Sequence, residues 1–288
     1  MFRSLEITFE AAVRNLSDPS WQARARAARA LGTADPEDHA EAARVLRSAL
    51  GDARPEVRYA AARSLGDIGD RGAVQALIAR LEDEDLQVRE AAALALGQIG
   101  DGAAFAPLAE ALRVGPPGLR LQAVAALAAV DAARAAPLLR AALQDADAEV
   151  RACAVLSLAE GPLDPSTAAA LAQLLDDAAE VPRAEAALAL GRHGDARAVP
   201  VLCELLSDRS RAYEAALALA QVPDQRSIGP LRAVLRRFLS PALLKVYCAY
   251  ALAKLVPDEG RAYLMRASRS LRSDVCGLAA ELLASLPD

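Results

Sequence analysis

Leucine returns along this chain at a nearly fixed interval. It stands at Leu31, Leu65, Leu96, Leu127, Leu158, Leu190, Leu219, Leu252 and Leu283, with gaps of 34, 31, 31, 31, 32, 29, 33 and 31 residues. Around it, apolar residues recur at positions 0, 4, 8 and 11, counted from an anchor eight residues earlier, as in Val88, Ala92, Leu96 and Ile99. That spacing is one face of an α-helix. A second amphipathic stretch precedes it, as in Val74, Leu77, Ile78 and Leu81. The pattern predicts about nine units, each a helix A followed by a helix B. Polar residues mark the boundaries. Asp35-Pro36 and Asp164-Pro165 place a capping acid before proline at a first helical position. Gly69, Gly100 and Gly194 suit left-handed positions that end helix B.

Composition supports helices throughout. Of 288 residues, 54% are hydrophobic but only 3% aromatic, and 71 are alanine. Strand-favouring runs are absent, and so much aliphatic surface excludes intrinsic disorder. The fold class expected is all-α. The net charge of −5 argues against general nucleic-acid binding, but it hides an asymmetry. Residues 225–272 hold ten basic side chains against only Asp258 and Glu259.

The polar signature inside each unit is an Asp, an apolar residue five positions on, and then an Arg. It reads Asp52…Val57-Arg58, Asp83…Val88-Arg89 and Asp145…Val150-Arg151, and more loosely Asp18…Ala23-Arg24 and Asp177…Pro182-Arg183. Proline stands eight residues before the Asp at Pro137 and Pro200, and within one position of that place at Pro107 and Pro230. These features resemble HEAT repeats. The short period and the string Leu-Gly-x-Ile-Gly-Asp (Leu65 to Asp70, Leu96 to Asp101) are similar to the short bacterial subtype that also occurs in phycobilin lyases. The resemblance implies one right-handed α-solenoid of about nine two-helix repeats. Residues 1–34 would form a capping repeat, 35–224 regular repeats, and 225–288 divergent basic repeats with a cap. It also implies a structural ladder of Arg24, Arg58, Arg89, Arg120, Arg151 and Arg183 against Asp18, Asp52, Asp83, Asp145, Asp177 and Asp208. The ladder fails at Ala212, Lys245 and Cys276.

Candidate chemistry is sparse. His193 aligns with Ile68, Ile99 and Val130 and reads as a core-edge residue. His39 sits among Asp38 and Glu41 and reads as surface. Two histidines in unlike repeat positions make a poor metal site, so no metal or other cofactor is expected. No His-Glu dipeptide is present, which excludes the iron chemistry of the HEAT-like deoxyhypusine hydroxylases. An acidic chain with one Trp fits poorly with the HEAT-like alkylpurine DNA glycosylases. No Gly-rich phosphate loop or hydrolase motif appears. Cys153, Cys203, Cys248 and Cys276 fall at unlike positions and read as small hydrophobes in a reducing, cytoplasmic setting. Glu6 interrupts the N-terminal apolar run, so neither a signal peptide nor membrane insertion is expected.

Two surfaces are candidates for function. Helical geometry puts positions 2 and 6 of helix B opposite its core stripe, on the concave side of a HEAT array. There stand Tyr59, Leu94, Leu121, Leu156, Leu188, Tyr213, Leu217, Val246 and Tyr250, where an idle face would be polar. One reading is an apolar groove for a partner protein or peptide; the other is that tight curvature buries position 6 between neighbouring helices. The second surface is basic: Arg232, Arg236, Arg237, Arg261, Arg266, Arg269 and Arg272, an electrostatic dock for an acidic partner or anionic surface. Phe2, Leu5, Phe9, Val13 and Leu16 suggest an N-terminal cap, and Val275, Ala279, Leu282 and Leu283 a C-terminal one. The expected function is a non-catalytic scaffold or adaptor. The alternative is a subunit of a chromophore-lyase-like enzyme handling a tetrapyrrole. A homodimer is compatible with either, and nucleic acid is not an expected partner.

Overall fold

The computed structural model describes residues 8–286, and among them every regular element is helical. The chain divides into two compact bodies, residues 1–157 and 158–288. The first contains α1 (Phe9–Asn15), α2 (Trp21–Leu31), α3 (His39–Ala49), α4 (Pro55–Ile68), α5 (Val74–Arg80), α6 (Leu86–Ile99), α7 (Phe105–Val114) and α8 (Pro117–Ala142). Helix α9 (Ala148–Ala159) carries the chain past the boundary. The second contains α10 (Pro165–Gln173), α11 (Glu180–Arg192), α12 (Val199–Leu205), α13 (Ala212–Gln221), α14 (Ile228–Arg236), α15 (Ala242–Ala253), α16 (Pro257–Ala267) and α17 (Ser273–Ala284). These make nine A–B pairs, because α8 joins the B helix of the fourth pair to the A helix of the fifth. In the first body, α4 packs between α2 and α6, and α6 between α4 and α8, while α1, α3, α5 and α7 pack on α2, α4, α6 and α8.

The Leu-Gly-x-Ile-Gly-Asp string shows why the units repeat. Leu65 is fully buried. A Cβ on Gly66 would stand 2.8 Å from Ala95 Cα, so this glycine is where the next B helix touches. Gly97 does the same against Ala126 and Gly191 against Ala218. Gly69 then ends α4 at φ 74°, with its N–H and that of Asp70 bonded back to Leu65 O at 3.1 Å. Asp70 accepts from Gly72 N at 3.2 Å and caps a single 3-10 turn leading into α5. Asp101, Asp195 and Asp224 cap the equivalent turns.

Where the string is missing, the boundary changes. The fourth unit reads Leu127-Ala-Ala-Val-Asp131, with no second glycine. The two helices then run together as α8, separated only by non-helical backbone at Asp131 (φ −162°, ψ 90°). Asp131 still caps the next helix through Arg134 N at 3.0 Å. By length and apolarity α8 could cross a membrane, but the break makes it two short helices of the repeat. Asp164 caps α10 as expected, through Ser166 N and Thr167 N. Asp35 precedes a 3-10 turn and makes no side-chain cap bond.

At the ends, Phe9, Val13 and Leu16 lie half-buried on or beside α1. Phe2 and Leu5 lie outside the described residues. Val275 and Ala279 are buried with Val246, Leu264 and Leu286, and Leu282 and Leu283 pack against that cluster. His193 is exposed, which corrects its expected core-edge place. It is the last residue before the left-handed Gly194, so it leaves the helix before reaching the core.

Candidate functional site

The repeated arginines are held in the A–B turns, and their position decides which surface is free. Arg24 grips both carboxylate oxygens of Asp52 at 2.6 and 2.9 Å, Arg58 those of Asp83 at 2.9 and 2.6 Å, and Arg120 those of Asp145 at 2.8 and 2.5 Å. Each also donates backwards to a carbonyl of its own A–B turn: Asp18 O, Asp52 O and Gly115 O. The acceptor carboxylate is not idle either. Asp52, Asp83 and Asp145 each take the backbone N–H two residues on, at 2.8 to 3.0 Å. One side chain pair therefore ties two A–B turns together through fork-shaped, charge-assisted bonds.

Charge responds accordingly. The Arg24 fork holds Asp52 below the usual carboxylate range. Burial is the largest influence on Asp83 and Asp145 and would raise both, but the Arg58 and Arg120 forks, the backbone N–H bonds and the neighbouring positive charge together outweigh it and both are lowered. Arg151 and Arg183 make the backward bond, to Asp145 O and Asp177 O. Asp177 accepts from Ala179 N at 2.8 Å.

Three members depart from the ladder. Asp18 accepts from Ser20 N and stands before the first arginine of the ladder. Asp208 accepts from Ser210 and Arg211 of its own turn instead of from Arg183. Arg89 bonds back to Asp83 O, but its Nε is buried without a partner. The residue six before Arg120, where an acceptor should be, is Val114.

With the arginines committed to turns, the B-helix face remains. In the first body Tyr59, Leu94 and Leu121 are half-buried, and Leu156 is 48% exposed. In the second body Tyr213 and Tyr250 are half-buried and Leu217 is 39% exposed. Two expected members are not on the surface. Leu188 is 2% exposed. It lies in an unbroken run of buried residues, Ala186 to Gly191, on α11, which packs on α12 and α13. Val246 is fully buried as a member of the core formed by α15, α16 and α17. The open and buried readings of the stripe thus hold at different residues. Around Tyr59 a concavity of about 380 Å³ adds Arg29, Glu56, Gln87 and Glu90, which gives the apolar face a polar rim.

The basic segment is partly neutralised. Arg232 pairs with Glu259 at 2.6 Å and Arg272 with Asp274 at 2.7 Å. Arg266 lies over the Tyr263 ring at 5.8 Å. Arg261 is half-buried. Arg236, Arg237 and Arg269 are exposed and make no ion pair among the described residues.

A further concavity lies on the A-helix side, between α7 and the second half of α8. It holds about 590 Å³, is mostly apolar, and is flanked by Arg134 stacked on Phe105 at 4.0 Å. No repeat-phase signal marks it, because it is set by the spacing between two A helices and not by the phase of either. Three of the four thiols are unsuited to attack: burial pushes Cys153 up, Cys203 to about 11 and Cys248 to about 12. Among the described residues no group of three or more His, Cys, Asp or Glu is placed to hold a metal.

The comparisons fit this geometry. A model of HEAT repeats matches four overlapping stretches, residues 9–83, 43–128, 115–190 and 167–243. The Escherichia coli protein YibA superposes with a TM-score of 0.67 at 22% identity, over 87% of this chain and 93% of its own, a likeness of fold. The complex of CpcE and CpcF of phycocyanin lyase from Nostoc sp. PCC7120 matches with a TM-score of 0.52 at 25% identity, over 97% of this chain and 95% of that one. An engineered protein matches at 0.58 and 25% identity, over 97% and 89%. No curated protein matches the chain in sequence. Stacked A–B pairs, arginine forks between turns and the matched repeats agree: the chain belongs to the HEAT-repeat family.

Proposed function

We propose that this chain is a non-catalytic scaffold that holds a partner protein or peptide on the B-helix face of its first body. The observation that carries the reading is the row Tyr59, Leu94, Leu121 and Leu156, which leaves apolar side chains at the surface of successive units. Such a row offers alternating apolar anchors to an amphipathic helix or extended peptide. The rim of Arg29, Glu56 and Glu90 would set its register. The similar CpcE and CpcF chains form a complex with each other, which also supports a protein partner.

The test is affinity capture with the wild type and a Leu94→Glu, Leu156→Glu variant, with helicity followed by circular dichroism. A leucine buried on binding contributes about 1.5–3 kcal/mol. The double change should therefore weaken a groove-bound partner by at least about a hundredfold with the fold intact. Undiminished capture by the folded variant would sink the reading. The CpcE–CpcF likeness also favours a second reading, tetrapyrrole handling. Tight bilin binding with an altered visible spectrum would support it over the scaffold.

A further inference from the structure

The A–B turns of the last two helix pairs have lost the ladder and gained something else. Where earlier turns carry Asp52, Asp83 or Asp145, the α14–α15 turn reads Arg237-Phe238-Leu239-Ser240 and the α16–α17 turn reads Arg269-Ser270-Leu271-Arg272. Phe238 is 93% exposed, Leu239 87% and Leu271 105%. These values mean that the side chains project from the turns and pack on nothing. Isolated exposed leucines are ordinary, but three fully projecting apolar residues on two consecutive turns are not.

The two turns lead into α15 and α17, which pack on one another. Leu239 and Arg237 share a cleft of about 520 Å³ with Tyr213 and Leu244. Around the apolar tips stand Arg236, Arg237 and Arg269, exposed and without ion pairs among the described residues, and Arg272 with Asp274. Local charge is therefore positive although the chain is acidic as a whole.

The geometry points to peripheral docking of this edge on an anionic phospholipid bilayer, with Phe238, Leu239 and Leu271 entering the interface and the arginines meeting the headgroups. Apolar knobs on turn tips need a soft apolar medium, and a bilayer interface supplies one without a matching socket. Cationic side chains beside them gain from the negative surface potential of such a bilayer. Nucleic acid would satisfy the arginines and could stack on Phe238, but it offers no apolar medium to Leu239 or Leu271. This edge is separate from the groove of the first body, and the inference does not depend on that groove.

The experiment is co-sedimentation of the full chain with vesicles of phosphatidylcholine alone and of phosphatidylcholine mixed with phosphatidylserine. The wild type should partition onto the anionic vesicles, weakly onto neutral ones, and less as salt rises. A Phe238→Ser, Leu239→Ser, Leu271→Ser variant should lose about tenfold or more of that partitioning. An Arg236→Glu, Arg237→Glu, Arg269→Glu variant should lose its preference for phosphatidylserine. All six positions are solvent-exposed, so both variants should keep wild-type circular dichroism. Failure of the wild type to bind anionic vesicles overturns the inference. So does a serine variant that binds as well as the wild type. So does a wild-type dimer in sedimentation velocity that the serine variant abolishes, because the tips would then be covered by a second copy.

Discussion

Arg58 and Arg89 occupy the same position in successive units and meet different fates. Arg58 and its acceptor Asp83 are each only 5% exposed, and each satisfies the other. A buried pair of this kind is costly to break, because the remaining charge has no water. Arg89 has the same backward bond to its own turn but no carboxylate ahead, since Val114 stands there with 60% of its surface exposed. Val114→Asp should supply that carboxylate. The expected gain is about 0.5–1.5 kcal/mol at neutral pH, read as a higher urea midpoint. Its pH dependence is a second check. Asp52, Asp83 and Asp145 are all lowered by their arginines, and the introduced carboxylate should be lowered likewise. A carboxylate depressed on folding stabilises above its unfolded pKa of about 3.9 and loses that effect as pH falls through the folded value. The variant and wild-type midpoints should therefore converge at acidic pH. A gain that persists there would mean that the effect is not electrostatic.

The helices show how much of the sequence signal is packing and how much is punctuation. The two glycines of the Leu-Gly-x-Ile-Gly string do different work. In the structure the first glycine is interior to the helix and serves closeness, while the second ends it. A methyl group on Gly97 would sit 2.8 Å from Ala126 Cα, whereas one on Gly277, inside α17, meets nothing within 4 Å. Gly97→Ala should therefore destabilise by about 1–3 kcal/mol despite better helix propensity. Gly277→Ala should stabilise by about 0.5–1 kcal/mol. Thermal unfolding of the two variants checks both signs, and equal shifts would show that propensity alone decides. The helix count and the core face were legible because the 3.6-residue period is strong and every repeat states it again. The surface stripe was legible only in part. Position 6 is open at Leu156 and closed at Leu188, although the repeat phase of the two residues is the same. A helical wheel fixes direction but not distance. The 590 Å³ concavity was not legible at all, because it lies between α7 and the second half of α8, and the spacing of two A helices leaves no mark in the repeat phase.

Across the whole molecule, repeat arrays hold together by contacts between neighbours, so local differences in those contacts become differences in regional stability. The first body has three arginine forks that clamp consecutive turns, at Asp52, Asp83 and Asp145. In the second body Asp208 serves its own turn, and the arginine positions of the last three units are Ala212, Lys245 and Cys276. The turns that replace the ladder expose Phe238, Leu239 and Leu271 to solvent instead of tying units together. Sequence and structure converge on this gradient, since the loss of the Asp…Arg signature coincides with the loss of the forks. Regions held by fewer long-range bonds open at lower free energy. Native-state hydrogen exchange should therefore show α13 to α17 exchanging before α2 to α6, with the α14–α15 and α16–α17 turns least protected. Adding phosphatidylserine vesicles should slow exchange at those two turns if they are the docking edge, because ordering on a surface stabilises what it touches. Uniform protection across α2 to α17 would mean that the alanine-rich helix contacts carry the stability and that the forks only set the spacing of the units.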